Sequence, residues 1–262
     1  MNILKFTLAA LLAVAAPLAA ADDFDAYRQA IARLAALPQP ARASSPEAAP
    51  LFGIMADNKD FFGNRRFTQG DIGPLMEMCN APTQQVTRYI MQDVMSTPVP
   101  PGADQNKIQE TLRAKMTANV QQYQDELSLL MPFMARCNAR LMPLMETYFA
   151  ALPKEEVNEA RLHGARQVQQ GAFNNLAGNI TMMSRKEMNE ENTLRIARAM
   201  AETSTAYVAV LPLTERTRLA ELAAAELPRL GGEQAAIVTR VIQDLQDKNC
   251  GKICMVAPPK AN

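Results

Sequence analysis

The sequence predicts an all-α protein, an irregular multi-helix bundle of about seven to nine helices with proline-kinked central helices. Apolar residues recur every three or four positions along most of the 262-residue chain, and that spacing is the period of amphipathic helices. Strict alternation, the sign of a half-buried strand, does not extend over any useful length. The nearest candidate strand, residues 207–213, runs into a proline.

Composition and charge place the chain among ordinary globular proteins. With 48% apolar and 21% charged residues, it can bury a core and is not a disordered chain. The 27 basic and 27 acidic residues cancel. The sequence has no basic cluster with interleaved aromatic residues, so the electrostatic footprint of nucleic-acid binding is missing. We therefore expect no nucleic-acid partner.

Residues 1–21 have the pattern of a secretory signal peptide. Lys5 precedes an apolar run over residues 6–16, and three alanines at 19–21 form an Ala-x-Ala cleavage site before Asp22. That run is too short for a stable membrane anchor, and no later stretch reaches the ~18 apolar residues of a membrane helix. We expect an exported, periplasmic or secreted protein whose mature chain begins at Asp22 and has no transmembrane span.

Four cysteines in an oxidising compartment predict disulfide bonds. Cys79, Cys137, Cys250 and Cys254 allow three pairings. Cys250 can close a short loop with Cys254, which leaves Cys79 for Cys137, and we favour this pairing over the two crossed alternatives. A redox or metal role for the C-terminal pair is the weaker interpretation, because three residues separate these cysteines where the usual motif has two.

The N-terminal part of the mature chain, residues 22–50, is predicted to be an amphipathic helix followed by a Pro/Ala-rich linker. The linker, residues 38–50, has almost no bulky apolar side chain, which indicates a flexible connection or an extended wrap. The first helix is therefore a candidate detachable arm. We expect a helical domain over residues 51–249 and a C-terminal tail with a local disulfide over residues 250–262. The part of the tail beyond Cys254 is expected to fray unless the disulfide docks it.

A loop rich in phenylalanine follows the linker, over residues 51–70. Either its aromatic side chains fasten the loop to the core, or Phe61 and Phe62 form a recognition surface for a ligand. The neighbouring Asp57, Asn58 and Asp60 lack the ligand spacing of a calcium loop.

Helix signals then continue to the middle of the chain. Thr68 and Asp71 form a capping-box pattern that opens a short helix through Cys79, and Pro82 is predicted to start a second helix. Residues 96–102 form a proline-rich break. One long helical stretch is expected from Asp104 to Leu152.

Within that stretch the sequence Leu-Met-Pro-x-Met occurs at 130–134 and again at 141–145. Its methionines fall within an arc of roughly 80° on one helix face; they are Met131, Met134, Met142 and Met145. Pro132 and Pro143 predict a helix kinked twice or broken into separate helices. The methionines either pack in the core as flexible apolar side chains or bind a soft metal such as Cu(I) through their thioethers.

Three glycines recur every seven residues in the next helical segment, at Gly164, Gly171 and Gly178. Each glycine lowers helix stability by about 1 kcal/mol relative to alanine, so three glycines at a regular spacing indicate a structural or functional role. We expect close packing of a neighbouring helix, in which case Gly171→Leu would overpack the core. The alternative is a groove that binds a ligand.

Ser184 and Glu187 repeat the capping-box pattern and predict the start of a helix that ends before Pro212. A helix from Thr214 to about residue 227 follows, and after a turn at residues 231–232 a last amphipathic helix ends near Lys248. These two helices are predicted to form a helical hairpin.

The sequence shows no catalytic signature, so we assign no catalytic residue and expect no cofactor. His163 is the only histidine, and the glutamate pairs 155–156 and 190–191 are typical of exposed helix starts. The favoured function is a non-catalytic protein-interaction or inhibitor module that binds another exported or envelope protein. The alternatives are a carrier of an apolar molecule or Cu(I), and a cell-envelope hydrolase with a single catalytic glutamate. The oligomeric state stays open.

Overall fold

The computed structural model describes residues 23–56, 61–63, 66–94, 96–98, 102 and 104–257. In these ranges the chain is all-helical and has no strand, so the predicted all-α fold class is confirmed. The nine α-helices in this part of the chain are α1 (Asp23–Ala36), α2 (Ala49–Ala56), α3 (Ile72–Met91), α4 (Gln105–Gln122), α5 (Gln124–Ala150), α6 (Glu159–Met183), α7 (Glu190–Val208), α8 (Leu213–Glu226) and α9 (Gly232–Leu245). Among the described helices, none combines the length and apolar character that crossing a membrane requires. The predicted signal peptide lies outside the described residues.

Helix α5 forms the centre of the bundle. It packs against α2, α3, α6 and α7, and Leu127, Leu130 and Phe133 on it are fully buried. The helix is continuous through Pro132 and Pro143, so the alternative of separate helices broken at the prolines is wrong. Burial among four other helices supplies the packing that offsets the backbone hydrogen bonds lost at the two prolines. A kink at either proline stays a prediction.

Pro82 lies inside helix α3 and does not begin a new helix, which corrects the prediction from the sequence. Proline has no amide hydrogen, so the carbonyl of Met78, four residues earlier, loses its helical hydrogen-bond donor. The hydroxyl of Tyr27 donates to this carbonyl oxygen at 2.9 Å. A side chain from α1 thus satisfies the group that Pro82 leaves without a partner, and the helix continues.

Tyr123 separates α4 from α5, so the single helical stretch predicted from Asp104 to Leu152 is two helices. The buried Asn119 side-chain amide donates to the carbonyls of Ile90 and Gln92 at 2.9 and 2.8 Å, which ties the end of α4 to the end of α3. The ring of Tyr123 packs edge-on against Tyr89, with ring centroids 5.0 Å apart. These long-range contacts end α4 where the local periodicity would continue it.

The N-terminal segment is packed into the same core. On α1, Phe24, Tyr27 and Leu34 are buried. The segment that follows, residues 37–48, contains bends and turns and is fastened to the helices, because Tyr89 donates its hydroxyl to the Ala41 carbonyl at 2.6 Å and the buried Glu126 carboxylate accepts from the Ala43 amide at 2.7 Å. These contacts favour a wrap over a flexible linker, although the wrap is not extended, and they speak against α1 as a detachable arm.

The phenylalanines after α2 fasten their loop to the core. Phe61 lies 5.4 Å from Phe24 and 5.7 Å from Tyr27 between ring centroids, and Phe62 lies 5.3 Å from Phe133. Phe62 is buried and Phe61 is half-buried. This placement supports the interpretation that the aromatic side chains fasten the loop to the core, because the cluster packs on α1 and α5. Ligand recognition by Phe61 and Phe62 stays a prediction. Residues 57–60, which include the weak calcium-ligand pattern, lie outside the described residues.

Both cysteine pairs have the favoured pairing. Cys79 on α3 is bonded to Cys137 on α5, with an S–S distance of 2.00 Å, and Cys250 is bonded to Cys254 at 1.93 Å. The first bond closes a loop of 58 residues, for which chain entropy predicts about 4 kcal/mol of stabilisation.

The last third of the chain forms α7 and a helical hairpin. Helix α7 starts at Glu190 with Asn189 as its N-cap, whose side chain accepts from the Asn192 amide at 2.9 Å. The capping box predicted at Ser184 and Glu187 is wrong, since Asn189 supplies the acceptor five residues later. Helices α8 and α9 pack against each other as the predicted hairpin.

Candidate functional site

The C-terminal loop, residues 249–257, is bound to three helices by hydrogen bonds. The Glu146 carboxylate on α5 accepts from the amides of Lys252 and Ile253 at 2.5 and 2.9 Å. The Gly251 amide donates to the Ala209 carbonyl at 3.1 Å. A Cβ atom at residue 251 would lie 2.5 Å from the Glu146 carboxyl carbon, so only glycine fits there without a shift.

Helix α6 holds the other side of the same loop. The Gln169 side-chain amide is buried and donates to the carbonyls of Ile253 and Val256 at 2.6 and 3.0 Å. The Arg166 guanidinium donates to the Ala257 carbonyl at 3.0 Å. The expectation that the tail frays unless its disulfide docks it is resolved by these contacts: the described part of the tail is docked through Ala257.

An open groove lies between this loop, the end of α5 and the start of α6. It has a volume of about 550 Å³. Its floor is apolar and is formed by Phe149, Leu152, Val157, Leu162, Met255 and Val256. Met255 is 59% exposed and Val157 is 36% exposed, and both line this one groove; several exposed apolar side chains at one place are typical of an interaction site. The groove therefore presents apolar area that is available to a partner.

The rim of the groove is cationic. Lys154, Arg166 and Lys252 line it, and both lysines are exposed. Arg166 forms a salt bridge with Glu159 at 3.5 Å, but that carboxylate is 84% exposed, so the pair is weak and easily exchanged. An apolar floor between cationic side chains can bind an apolar surface that carries carboxylates.

Two other depressions in the surface are weaker candidates for a docking site. A cleft of about 370 Å³ beside Phe62 contains Arg136, whose charge is already paired with Glu202 at 2.8 Å. A groove of about 540 Å³ between α8 and α9 is apolar, with the 53% exposed Leu213 at its edge, and has Glu221 and Lys248 as charges of opposite sign. Neither combines an exposed apolar floor with charges of one sign.

The heptad glycines do not lie under a close helix crossing. A Cβ atom built at Gly164, Gly171 or Gly178 meets nothing within 4 Å, and Gly171 is exposed. The expectation that Gly171→Leu overpacks the core is therefore wrong. The buried face of α6 is the adjacent stripe that contains Ala165, Ala172 and Leu176.

The methionine stripe of α5 lies against the core. Met131 and Met142 belong to the buried core, Met134 is buried, and Met145 is partly buried against the core. This placement supports the packing interpretation over Cu(I) binding. Within the described residues, no group of three His, Cys, Asp or Glu side chains lies together as a metal site would require.

The other residues weighed for catalysis do not line the groove. His163 is exposed on α6, and the glutamates at 155, 156, 190 and 191 are exposed in the first turns of their helices. Sequence reasoning missed Glu146, Gln169 and Arg216, which hold the C-terminal loop. Their signal in the sequence was weak, since Glu146 and its partner Lys252 are 106 residues apart.

Comparison with models of known protein families, with curated proteins and with solved structures finds no match for this chain.

Proposed function

We propose that this chain is an exported, non-catalytic protein-interaction module whose docking site is the groove beside the C-terminal loop. The observation that carries the proposal is the pairing of exposed Met255 and Val157 with a cationic rim. Burying a side chain of this kind contributes about 1.5–3 kcal/mol, and a few such residues supply most of the energy of a protein interface.

The occupant that fits this groove is an acidic amphipathic segment of another exported or envelope protein. Its apolar face would cover Met255 and Val157, and its carboxylates would lie near Lys154 and Lys252. Charge complementarity of this kind raises the association rate and selects against basic partners. The hydrogen bonds that Glu146 accepts and that Gln169 donates hold the loop in place before binding, which lowers the entropy lost when the partner docks.

Export through the N-terminal signal peptide is part of the proposal. Two disulfide bonds are compatible with an oxidising compartment. N-terminal sequencing of the exported protein should give a chain that starts at Asp22. Exported protein that retains Met1 would contradict this assignment.

A pair of synthetic peptides tests the docking site. Both are amphipathic helices of about 16 residues, roughly four turns, with the same apolar face, and they carry either glutamate or lysine on the polar face. Fluorescence anisotropy with the mature protein should show binding of the acidic peptide that weakens as salt is added. The basic peptide should bind at least tenfold more weakly, a difference of about 1.4 kcal/mol.

Two exposed methionines provide matched variants for this assay. Met255→Asp places a carboxylate in the groove and should weaken binding of the acidic peptide at least tenfold. Met76 is 41% exposed on α3 and does not line the groove, so Met76→Asp should bind the peptide like the unmodified protein. Equal binding of the two peptides, or equal effects of the two substitutions, would refute the proposed site.

A further inference from the structure

The largest fully buried side chain in the described part of the chain is Arg216 on α8, with 0% exposure. Its Nη1 donates to the Asp247 carbonyl at 2.5 Å and its Nη2 donates to Cys254 Sγ at 3.7 Å. Its Nε is buried and has no hydrogen-bond partner. No carboxylate forms a salt bridge with Arg216 in the described residues, so the buried cation faces a disulfide sulfur with no anion in direct contact.

A buried cation with no anion in direct contact is costly, because the low dielectric interior replaces the water that would solvate it. Burial lowers the pKa of the Arg216 guanidinium and the Asp247 carboxylate opposes that shift, but an arginine remains protonated in proteins. Cys254 can supply an anion in direct contact with the guanidinium. A thiolate beside an arginine is stabilised relative to the thiol.

We propose that the Cys250–Cys254 disulfide is a reducible site in which Arg216 stabilises the Cys254 thiolate of the reduced form. The reductant is a dithiol, either a small molecule or the dithiol of a thiol oxidoreductase. The reaction requires one sulfur that a thiolate can reach and one that leaves as a stabilised thiolate. Cys250 is half-buried at the surface, whereas Cys254 is 4% exposed and touches the guanidinium.

The reaction is thiol–disulfide exchange in two steps. A thiolate of the dithiol attacks Cys250 Sγ, a mixed disulfide forms, and the Cys250–Cys254 bond breaks with Cys254 leaving as a thiolate beside Arg216. The second thiol of the reductant then attacks the reductant's first sulfur, and the bond between that sulfur and Cys250 Sγ breaks. The proton of the attacking thiol passes to Cys250, and the reductant leaves as an internal disulfide. Two electrons move to the protein, and a stabilised leaving thiolate speeds the first step.

The charges around this loop come from each element packed on it. Arg216 approaches from α8, Glu146 from α5 and Arg166 from α6, and Asp247 precedes the loop. The Glu146 carboxylate opposes a thiolate, but it accepts from two loop amides. Because the loop carries Met255 and Lys252, reduction would also change the proposed groove. That consequence rests on the proposed function, whereas the thiol chemistry does not.

The first test measures the Cys254 thiol directly. A Cys250→Ala variant of the mature chain leaves Cys254 as a single free thiol while Cys79 and Cys137 stay bonded. The thiolate absorbance near 240 nm should titrate at least one pH unit below the pKa of about 8.5 of a free cysteine. Adding Arg216→Lys should keep most of this shift and Arg216→Met should abolish it. If the Arg216→Met protein does not fold, an ordinary or raised pKa with Arg216 present overturns the proposal.

The second test compares the two disulfides of one molecule. The mature protein is equilibrated with dithiothreitol, alkylated and mapped by mass spectrometry. The Cys250–Cys254 bond should open at a dithiol ratio at least tenfold lower than the Cys79–Cys137 bond, which corresponds to about 30 mV for a two-electron couple. Equal resistance of the two bonds in the unmodified protein overturns the proposal. These readouts involve no partner, so they can fail while the docking site stands.

Discussion

Replacing Tyr27 with phenylalanine removes one hydroxyl and keeps the ring that stacks on Phe133 at a centroid distance of 5.2 Å. The hydroxyl donates to the Met78 carbonyl at 2.9 Å, and Tyr27 is 1% exposed. Because Pro82 has no amide hydrogen, the Met78 carbonyl of the variant would be buried without a donor. An unsatisfied buried group of this kind costs about 1–3 kcal/mol.

The same structure provides an internal control. Pro82→Ala restores an amide hydrogen that can donate to the Met78 carbonyl within the helix. In this background the loss of the Tyr27 hydroxyl leaves no orphaned acceptor, so Tyr27→Phe should cost less by at least about 1 kcal/mol. The coupling between Tyr27 and Pro82 is the quantity that this explanation predicts.

Urea denaturation of the four proteins, the parent, the two single variants and the double variant, measures the coupling. A destabilisation of about 2 kcal/mol by Tyr27→Phe alone should also lower the melting temperature by roughly 4–8 °C in a domain of this size. Equal effects of Tyr27→Phe with proline and with alanine at position 82 would refute the reasoning, because the hydroxyl would then act independently of the missing amide.

Three further predictions concern other parts of the bundle. Gly171→Ala should raise the free energy of unfolding by about 1 kcal/mol, because the new methyl group meets nothing within 4 Å; a lower value in urea denaturation would contradict this. Met134→Leu should cost less than about 1.5 kcal/mol as a volume-conserving change, and a larger loss on thermal melting would refute it. Burial raises the pKa of Tyr27, Tyr89 and Tyr207, with Glu126 adding to the effect at Tyr89. Their neutral forms therefore favour the folded state, and stability should decline as pH rises above about 10, where unfolded tyrosine ionises. The chain has five tyrosines, so phenolate absorbance of more than two tyrosines before circular dichroism reports unfolding would contradict this prediction.

The spacing of apolar residues along the chain was sufficient to predict the all-α class, the α8–α9 hairpin and the central place of the Met-rich helix. These features depend on neighbours along the chain, where the i, i+3 and i+4 spacing determines which side is apolar. The disulfide pairing also followed from local spacing, since Cys250 and Cys254 are four residues apart.

The errors arose where a distant residue changes a local rule. A proline usually ends or kinks a helix, but at Pro82 the hydroxyl of Tyr27, 51 residues away from Met78, supplies the missing donor. Glycines spaced seven residues apart lie on the same face of a helix, but the spacing does not determine whether that face contacts a neighbouring helix or solvent. For Gly171 the face is exposed.

The candidate site could not be predicted for the same reason. Its floor combines the end of α5, the start of α6 and a loop near the C-terminus. The loop is held there by Glu146, which is 106 residues before Lys252, and by Gln169, which is 84 residues before Ile253. A sequence identifies the apolar and cationic residues in each segment, but only the tertiary contacts bring them to one groove.

Site-specific cross-linking tests the proposed docking site most directly. A photoreactive amino acid is placed at Met255 in the groove and, as a control, at Met76 on α3, and the exported protein is irradiated before purification. We predict a cross-link from position 255 that mass spectrometry maps to an acidic amphipathic segment of another exported or envelope protein. This cross-link should be lost when Lys154 and Lys252 become glutamate. Cross-links that are equal at the two positions, or that survive this charge reversal, would contradict it.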